Sequence, residues 1–285
     1  MRVFITGASG YIGKAVVAAL LRHGHEVEAL ARTDGSAAVV RALGAVPVHG
    51  GLSALDVLTA AAGRADAVIH LAQADGAEAD LAAATAMQDG VGTGTYVHTG
   101  GTWVHGSTDG VADEDAPWNP PAVVAWRQAV EEAVLARAST GRPVVLRPGL
   151  LYGGENRLID AFFTAPGVEA GAIPHIGDGA NHWSLVHVDD LAELYVAALG
   201  ARAGSVYLGV GGVDPTAHEV ATAISRGAGL EGKTVSLSLD EARRRMGPIA
   251  DAFALDQRFT PARARAELGW VPRHTDPLAV FARGD

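Results

Sequence analysis

Three glycines at a spacing of three, Gly7, Gly10 and Gly13, punctuate the segment TGASGYIG at residues 6–13, directly after the β-branched run RVFIT and before the helical run KAVVAALLRHG. Glycine permits a tight turn and a close backbone approach, and the helix N-terminus that follows offers unpaired N–H groups. Together they suit the segment to holding a pyrophosphate, with Ser9, Tyr11 and Ile12 filling the turn. No Gly-Lys-Ser/Thr closes it, so a Walker-type loop is excluded. Without a ligand the same residues would be a glycine-rich strand-to-helix turn.

Further along, several side chains could donate a hydrogen bond or a proton. Gln73 follows VIHLA, Thr99 and Thr102 follow or flank the end of YVHT, and Tyr152 follows LRPGLL. Reduction of a carbonyl or imine leaves charge that needs such a donor nearby. Alternation along a strand puts His98 and Gly100 on one face and Thr99 and Gly101 on the other, so Thr99 is the donor candidate and His98 is expected to pack. His105 is a further candidate imidazole. In GANHWSLVHVDD, His182 and Trp183 could face substrate, and His187 with Asp189 or Asp190 could make a charge-tuned base or a metal site. The sequence holds no cysteine, no His-x-x-x-His pair and no Gly-x-Ser-x-Gly elbow, so disulfides, thiolate nucleophiles, a metal centre and a hydrolase are not expected.

These residues stand at the ends of short β-branched runs that alternate with Ala/Leu-rich ones. RVFIT, KAVVAALLRHG, EVEALA, AAVVRALG, VPVHG, DVLTAAAG and ADAVIHLA follow one another, and the rhythm continues through GTYVHTG and GRPVVLRPG. The pattern predicts an α/β fold, a Rossmann-type doubly wound parallel sheet with helices on both faces and a smaller C-terminal lobe. Ligands of such sheets bind beyond the carboxyl ends of the strands, where the candidates lie. Residues 1–152 are read as a dinucleotide-binding domain, with part of 183–212 returning to it, and residues 153–285 mainly as a substrate-binding lobe.

At 285 residues with 48% hydrophobic content, the chain can bury a large core. A net charge of −10 argues against nucleic acid as a partner, because phosphate binding needs a concentrated cationic surface. The one dense basic stretch, Arg243 to Arg245, reads as the polar side of a helix. No apolar run approaches the roughly 20 residues of a membrane span, and no basic leader opens the sequence, so a cytoplasmic location without a membrane partner is expected.

Gly-x-x-Gly-x-x-Gly in this setting resembles the extended branch of the short-chain dehydrogenase/reductase superfamily, the NAD(P)-dependent epimerase/dehydratase-like group. VIHLA at 68–72, VHTGGTWVHG at 97–106, LRPGLLYG at 146–153, WSLVHVDDLAELY at 183–195 and ARAELGWVP at 264–272 carry the resemblance over essentially the whole chain. It implies that Gly7, Ser9, Gly10, Tyr11, Ile12, Gly13, Arg32, Leu52, Leu71, Ala72, Gln73, Arg127, Pro148 and Leu150 contact a dinucleotide. An NAD enzyme of this kind typically has an acidic residue where Ala31 stands. Arg32 follows instead, and a guanidinium can pair with a 2′-phosphate, so NADP(H) is the expected cofactor; the alternative is an ordinary surface arginine. Gly51 stands where the family usually reaches the adenine with an aspartate.

The catalytic dyad of that family, Tyr-x-x-x-Lys, is absent from the chain, whose only lysines are Lys14 and Lys233. Its serine position falls at Gly101, its tyrosine position at Val123 and its lysine position at Arg127, with Glu131 four residues on. The chain thus resembles atypical members that keep the fold and discard the dyad. Arg127 either contacts the ribose or forms an exposed helix pair with Glu131. Thr99, Tyr152 and Gln73 are the catalytic candidates. The resemblance implies inter-lobe packing for His187.

An NADPH-dependent reductase of an activated small-molecule acceptor, an imine, enone or ketone, is the expected function. A non-redox isomerase, dehydratase or lyase, and a dinucleotide-sensing protein, are the alternatives. In GGENRLIDAFFTAPG, Glu155, Asn156, Arg157, Phe162 and Phe163 could meet an apolar substrate with a polar handle, or the two phenylalanines could be core. A homodimer is a possible assembly.

Overall fold

The computed structural model describes residues 1–154 and 157–284, the Arg157 side chain excepted. The alternating runs become β1 (Arg2–Thr6), α1 (Tyr11–Arg22), β2 (Glu26–Ala31), α2 (Asp34–Ala42), β3 (Val46–His49), α3 (Leu55–Ala62), β4 (Ala67–His70), α4 (Ala77–Val91) and β5 (Thr95–Thr99). Then α5 (Arg127–Leu135) leads to the strand Arg142–Pro148, and the helix Val188–Ala198 to the strand Ser205–Gly209. Seven strands make one sheet in the order 205–209, 142–148, β5, β4, β1, β2, β3, with every neighbouring pair parallel. The chain leaves β1 for β2 on one side and later reaches β4 on the other. This switch in direction opens a crevice at the carboxyl ends of β1 and β4.

Parallel strands covered on both faces are apolar without alternation, as AVIH and RPVVLRP show. On one face α1 and the helix Val188–Ala198 bring Val16, Leu20, Leu191, Leu194 and Tyr195 against Ile5, Ile69, Val97 and Leu146. On the other, α3, α4 and α5 bring Leu58, Met87, Val130 and Val134 against Phe4, Val68, Tyr96 and Val145.

A separate core is built on Tyr152, Phe163, Trp183, Val220, Ile224 and Phe253, while Ala264 and Trp270, further along the chain, return to the core of the sheet. The Phe163 ring meets Phe253 edge-on at 4.8 Å and Trp183 at 5.1 Å, and Phe162 packs against the same cluster. Phe163 is therefore core of this lobe. Arg243 to Arg245 occupy the last turn of the helix Leu239–Met246, where cations complement the helix dipole, and Arg243 pairs with Asp240 and Asp251. Among the described residues no helix is long and apolar enough to cross a membrane.

Candidate functional site

The crevice is built on the turn after β1. Gly7 adopts φ +76, and a Cβ there would lie 2.8 Å from the Ala72 nitrogen; one at Gly13 would lie 2.1 Å from the Gly7 carbonyl oxygen. Only glycine lets the turn sit this close both to the segment leaving β4 and to α1. Thr6 fixes that segment, its Oγ1 accepting the Ala72 N–H at 3.2 Å and lying 2.7 Å from His70 Nδ1.

Two clefts share Gly7. The larger, 680 Å³, is lined by Gly7, Ser9, Arg32, Leu52, Ala72 and Gln73, with Thr33, Ser36, Gly51 and Asp75. The smaller, 390 Å³, is lined by Gly7, Gly10, Tyr11, Ile12, Gly13 and Leu71, with Leu151 and Leu158. Two nucleotide-sized clefts meeting at a turn that presents helix N-terminal N–H groups fit the two halves of a dinucleotide and its pyrophosphate.

Arg32 is exposed at the margin of the larger cleft, with no hydrogen bond or ion pair to any described residue. Beside it Thr33 caps α2, accepting the Ser36 N–H at 3.1 Å while Ser36 Oγ accepts the Thr33 N–H at 3.0 Å. Unused cationic donors and a capped helix start thus share one wall.

Arg127 joins three segments. Its Nη1 donates to the Thr99 carbonyl at 3.2 Å, its Nη2 donates to Gln73 Oε1 at 3.1 Å, and its guanidinium lies 4.7 Å from the Trp126 ring centre. A guanidinium has donors only, so it must meet the amide oxygen of Gln73, which leaves the Gln73 NH₂ to face elsewhere in the cleft that Gln73 lines. Burial lowers the Arg127 pKa, with Glu131 and Asp80 opposing the shift; the side chain stays cationic.

The exposed Arg127–Glu131 pair that the sequence allowed does not form. Glu131 is 0% exposed and accepts from Arg147 Nε at 2.9 Å, while Arg147 lies 3.1 Å from His105 Nε2 and 4.5 Å from the Trp118 ring centre. Burial raises the Glu131 pKa against the pull of Arg147.

Other candidates lie elsewhere. Tyr152 is 1% exposed, donates to the His274 carbonyl at 2.8 Å and lines neither cleft. Pro148 ends its strand and Leu150 belongs to the second core, and neither lines either of these two clefts. Strand alternation turns Leu151 to the smaller cleft in their place. Tyr11 donates to the Gly153 carbonyl, linking the glycine turn to the second lobe. Val123 and Gly101, where the sequence motifs lead one to expect the family's tyrosine and serine, carry no hydroxyl. Thr102 is buried, 3.3 Å from Gln257 Oε1. His98 is buried against His70, their ring centres 5.6 Å apart. His182 Nδ1 is 2.8 Å from Asp256 Oδ1, and Trp183 Nε1 donates to the Phe253 carbonyl at 2.9 Å. His187 stacks on His274 at 3.7 Å and accepts the Asp189 N–H. Glu155, Asn156 and the Arg157 side chain lie outside the described residues.

Thr33, Ser36, Leu158 and Tyr195 were not singled out from the sequence. Thr-x-x-Ser before a helix is a readable cap signature. Tyr195, whose hydroxyl is 2.8 Å from Thr99 Oγ1, reads in sequence only as part of an apolar helix stripe.

The chain matches the model of the NAD dependent epimerase/dehydratase family over residues 3–208. It is 32% identical to an uncharacterized protein of Schizosaccharomyces pombe, covering 99% of this chain and 98% of that one. It is 28% identical to the 4-hydroxy-2-methyl-3-oxo-4-farnesyl-3,4-dihydroquinoline-1-oxide ketoreductase of Stigmatella aurantiaca, covering 99% and 95%. In fold it is similar to the dTDP-glucose 4,6-dehydratase DesIV of Streptomyces venezuelae, solved with NAD, at a TM-score of 0.81 and 24% identity over 100% of this chain and 96% of that one. With this match, the glycine turn and the paired clefts, the chain belongs to the NAD dependent epimerase/dehydratase family, in the extended short-chain dehydrogenase/reductase fold.

Proposed function

We propose that this protein is an NADP(H)-dependent oxidoreductase that reduces an activated small-molecule acceptor, an imine, enone or ketone, without a Tyr-x-x-x-Lys relay. The observation that carries the reading is the Arg127 bridge between Gln73 and Thr99 at the edge of the dinucleotide cleft. Bound NADPH would supply the hydride. Arg32, free beside the Thr33 and Ser36 cap, is the group to pair with a 2′-phosphate. Arg127 holds Gln73 so that its amide N–H groups can stabilise charge developing on the acceptor, and the completing proton comes from solvent. Because arginine cannot serve as a proton acceptor at neutral pH, Arg127 binds and orients rather than relays.

Leu71, Leu151 and Leu158 make the smaller cleft apolar, which suits the nicotinamide half of the dinucleotide and, beside it, an acceptor with few charges. The ketoreductase relative from Stigmatella aurantiaca and a 2-alkyl-3-oxoalkanoate reductase of Stenotrophomonas maltophilia, 24% identical, support reduction of a ketone. The test is acceptor-dependent loss of NADPH absorbance with diacetyl, cyclohexenone and a cyclic imine. Acceptor conversion without net NADPH consumption would move the protein to the isomerases and dehydratases.

A further inference from the structure

Tyr195 lies on the helix Val188–Ala198 with its side chain turned onto the sheet, 0% exposed, and its hydroxyl is 2.8 Å from Thr99 Oγ1. Neither hydroxyl has another partner among the described residues; Thr99 is otherwise held through its backbone, paired with Leu146 in the sheet and accepting from Arg127 at its carbonyl. A hydroxyl has one hydrogen to give and two lone pairs to receive. Two arrangements therefore exist. If Tyr195 donates, its hydrogen is satisfied and that of Thr99 is left to point elsewhere. If Thr99 donates, the Tyr195 hydrogen is stranded in a fully buried site with no acceptor, which is the more costly arrangement.

Thr99 can bear the free hydrogen because it is the one residue of β5 that is partly exposed. Pairing of β4 with β5 sets Ile69 opposite Val97, and two residues further along that face stand Leu71 and Thr99. Leu71 lines the smaller cleft, and Thr99, which itself lines neither cleft, stands beside it on the same face.

We propose that Tyr195 is a positioning residue: by donating to Thr99 Oγ1 it fixes the Thr99 hydroxyl as a hydrogen-bond donor toward the crevice, where it stabilises charge developing on the acceptor. The direction of the hydrogen bonds stands by itself; the role in turnover rests on the reductase reading above. Donation by Tyr195 also polarises the Thr99 O–H, strengthening it as a donor.

Neutron diffraction from hydrogen/deuterium-exchanged crystals of the full chain tests the direction. The expected map shows a deuteron on Tyr195 Oη along the line to Thr99 Oγ1, and a Thr99 deuteron off that line. A Thr99 deuteron pointing at Tyr195 overturns the proposal, whatever the protein reduces. Turnover with diacetyl and NADPH tests the role: Tyr195→Phe and Thr99→Val are each expected to lower kcat about 10- to 100-fold, with little further loss when combined. KM and the NADPH Kd should stay within about twofold of wild type, and Thr99→Ser should restore most of the rate. An undiminished kcat in a folded Tyr195→Phe protein overturns the role. If wild type oxidises no NADPH with any acceptor, the reductase reading fails, while the diffraction result still decides the hydroxyl order.

Discussion

Glu131 is paired with Arg147 at 2.9 Å and not with Arg127, the residue one helical turn before it. Both members are almost fully buried, so removing one leaves a charge without water or partner. Glu131→Ala is expected to cost about 3–5 kcal/mol of stability, and Glu131→Gln less because an amide oxygen still accepts from Arg147. Urea unfolding checks this, and an unchanged midpoint for Glu131→Ala would show that the pair does not hold α5 to its strand.

The same pairing leaves Arg127 free to span Gln73 and Thr99. A lysine ammonium cannot reproduce a planar fork that meets two acceptors from different segments. Arg127→Ala should weaken NADPH binding about tenfold, on the scale of one charged hydrogen bond, and Arg127→Lys should recover only part of it. Equal affinities for wild type and Arg127→Ala in a fluorescence titration would remove Arg127 from the cofactor site.

Gly13 meets the Gly7 carbonyl so closely that a methyl group there must open the turn. Gly13→Ala should lower the melting temperature and weaken both dinucleotides alike, since the shared pyrophosphate contact is what moves. A selective loss for one dinucleotide would place the turn's role at the wrong end of the ligand.

Burial, with the charge of His70 adding to it, pushes His98 from 6.5 down to about 3. A lowered histidine pKa means the folded state excludes the proton, so its contribution is fully present above pH 6.5 and is lost as pH falls toward 3. The melting temperature of wild type should drop across that window, and His98→Gln should drop less steeply over it. Parallel slopes for the two proteins would mean that His98 does not titrate with unfolding.

Much of this architecture was legible in the sequence because parallel strands and their helices announce themselves by period and by β-branching, as RVFIT and KAVVAALLRHG do. The glycine turn was legible for the same local reason. Arg127 could be placed near Gln73 because both were fixed to motifs with known positions. What could not be read was partnership across the fold: Glu131 finds Arg147, 16 residues away, and Thr99 finds Tyr195, 96 residues away. Tyr152 and Leu150 misdirect because a one-residue shift in a short strand exchanges faces, and the cleft receives Leu151.

The most direct measurement is a parallel titration of wild type and Arg32→Ala with NADPH and NADH, read by nicotinamide fluorescence. Wild type is expected to prefer NADPH, and Arg32→Ala to lose about 10- to 100-fold for NADPH with little change for NADH, since one charge-assisted contact to the 2′-phosphate disappears. Equal binding of the two dinucleotides by wild type, or no binding of either, would contradict the NADP(H)-dependent reductase proposed here.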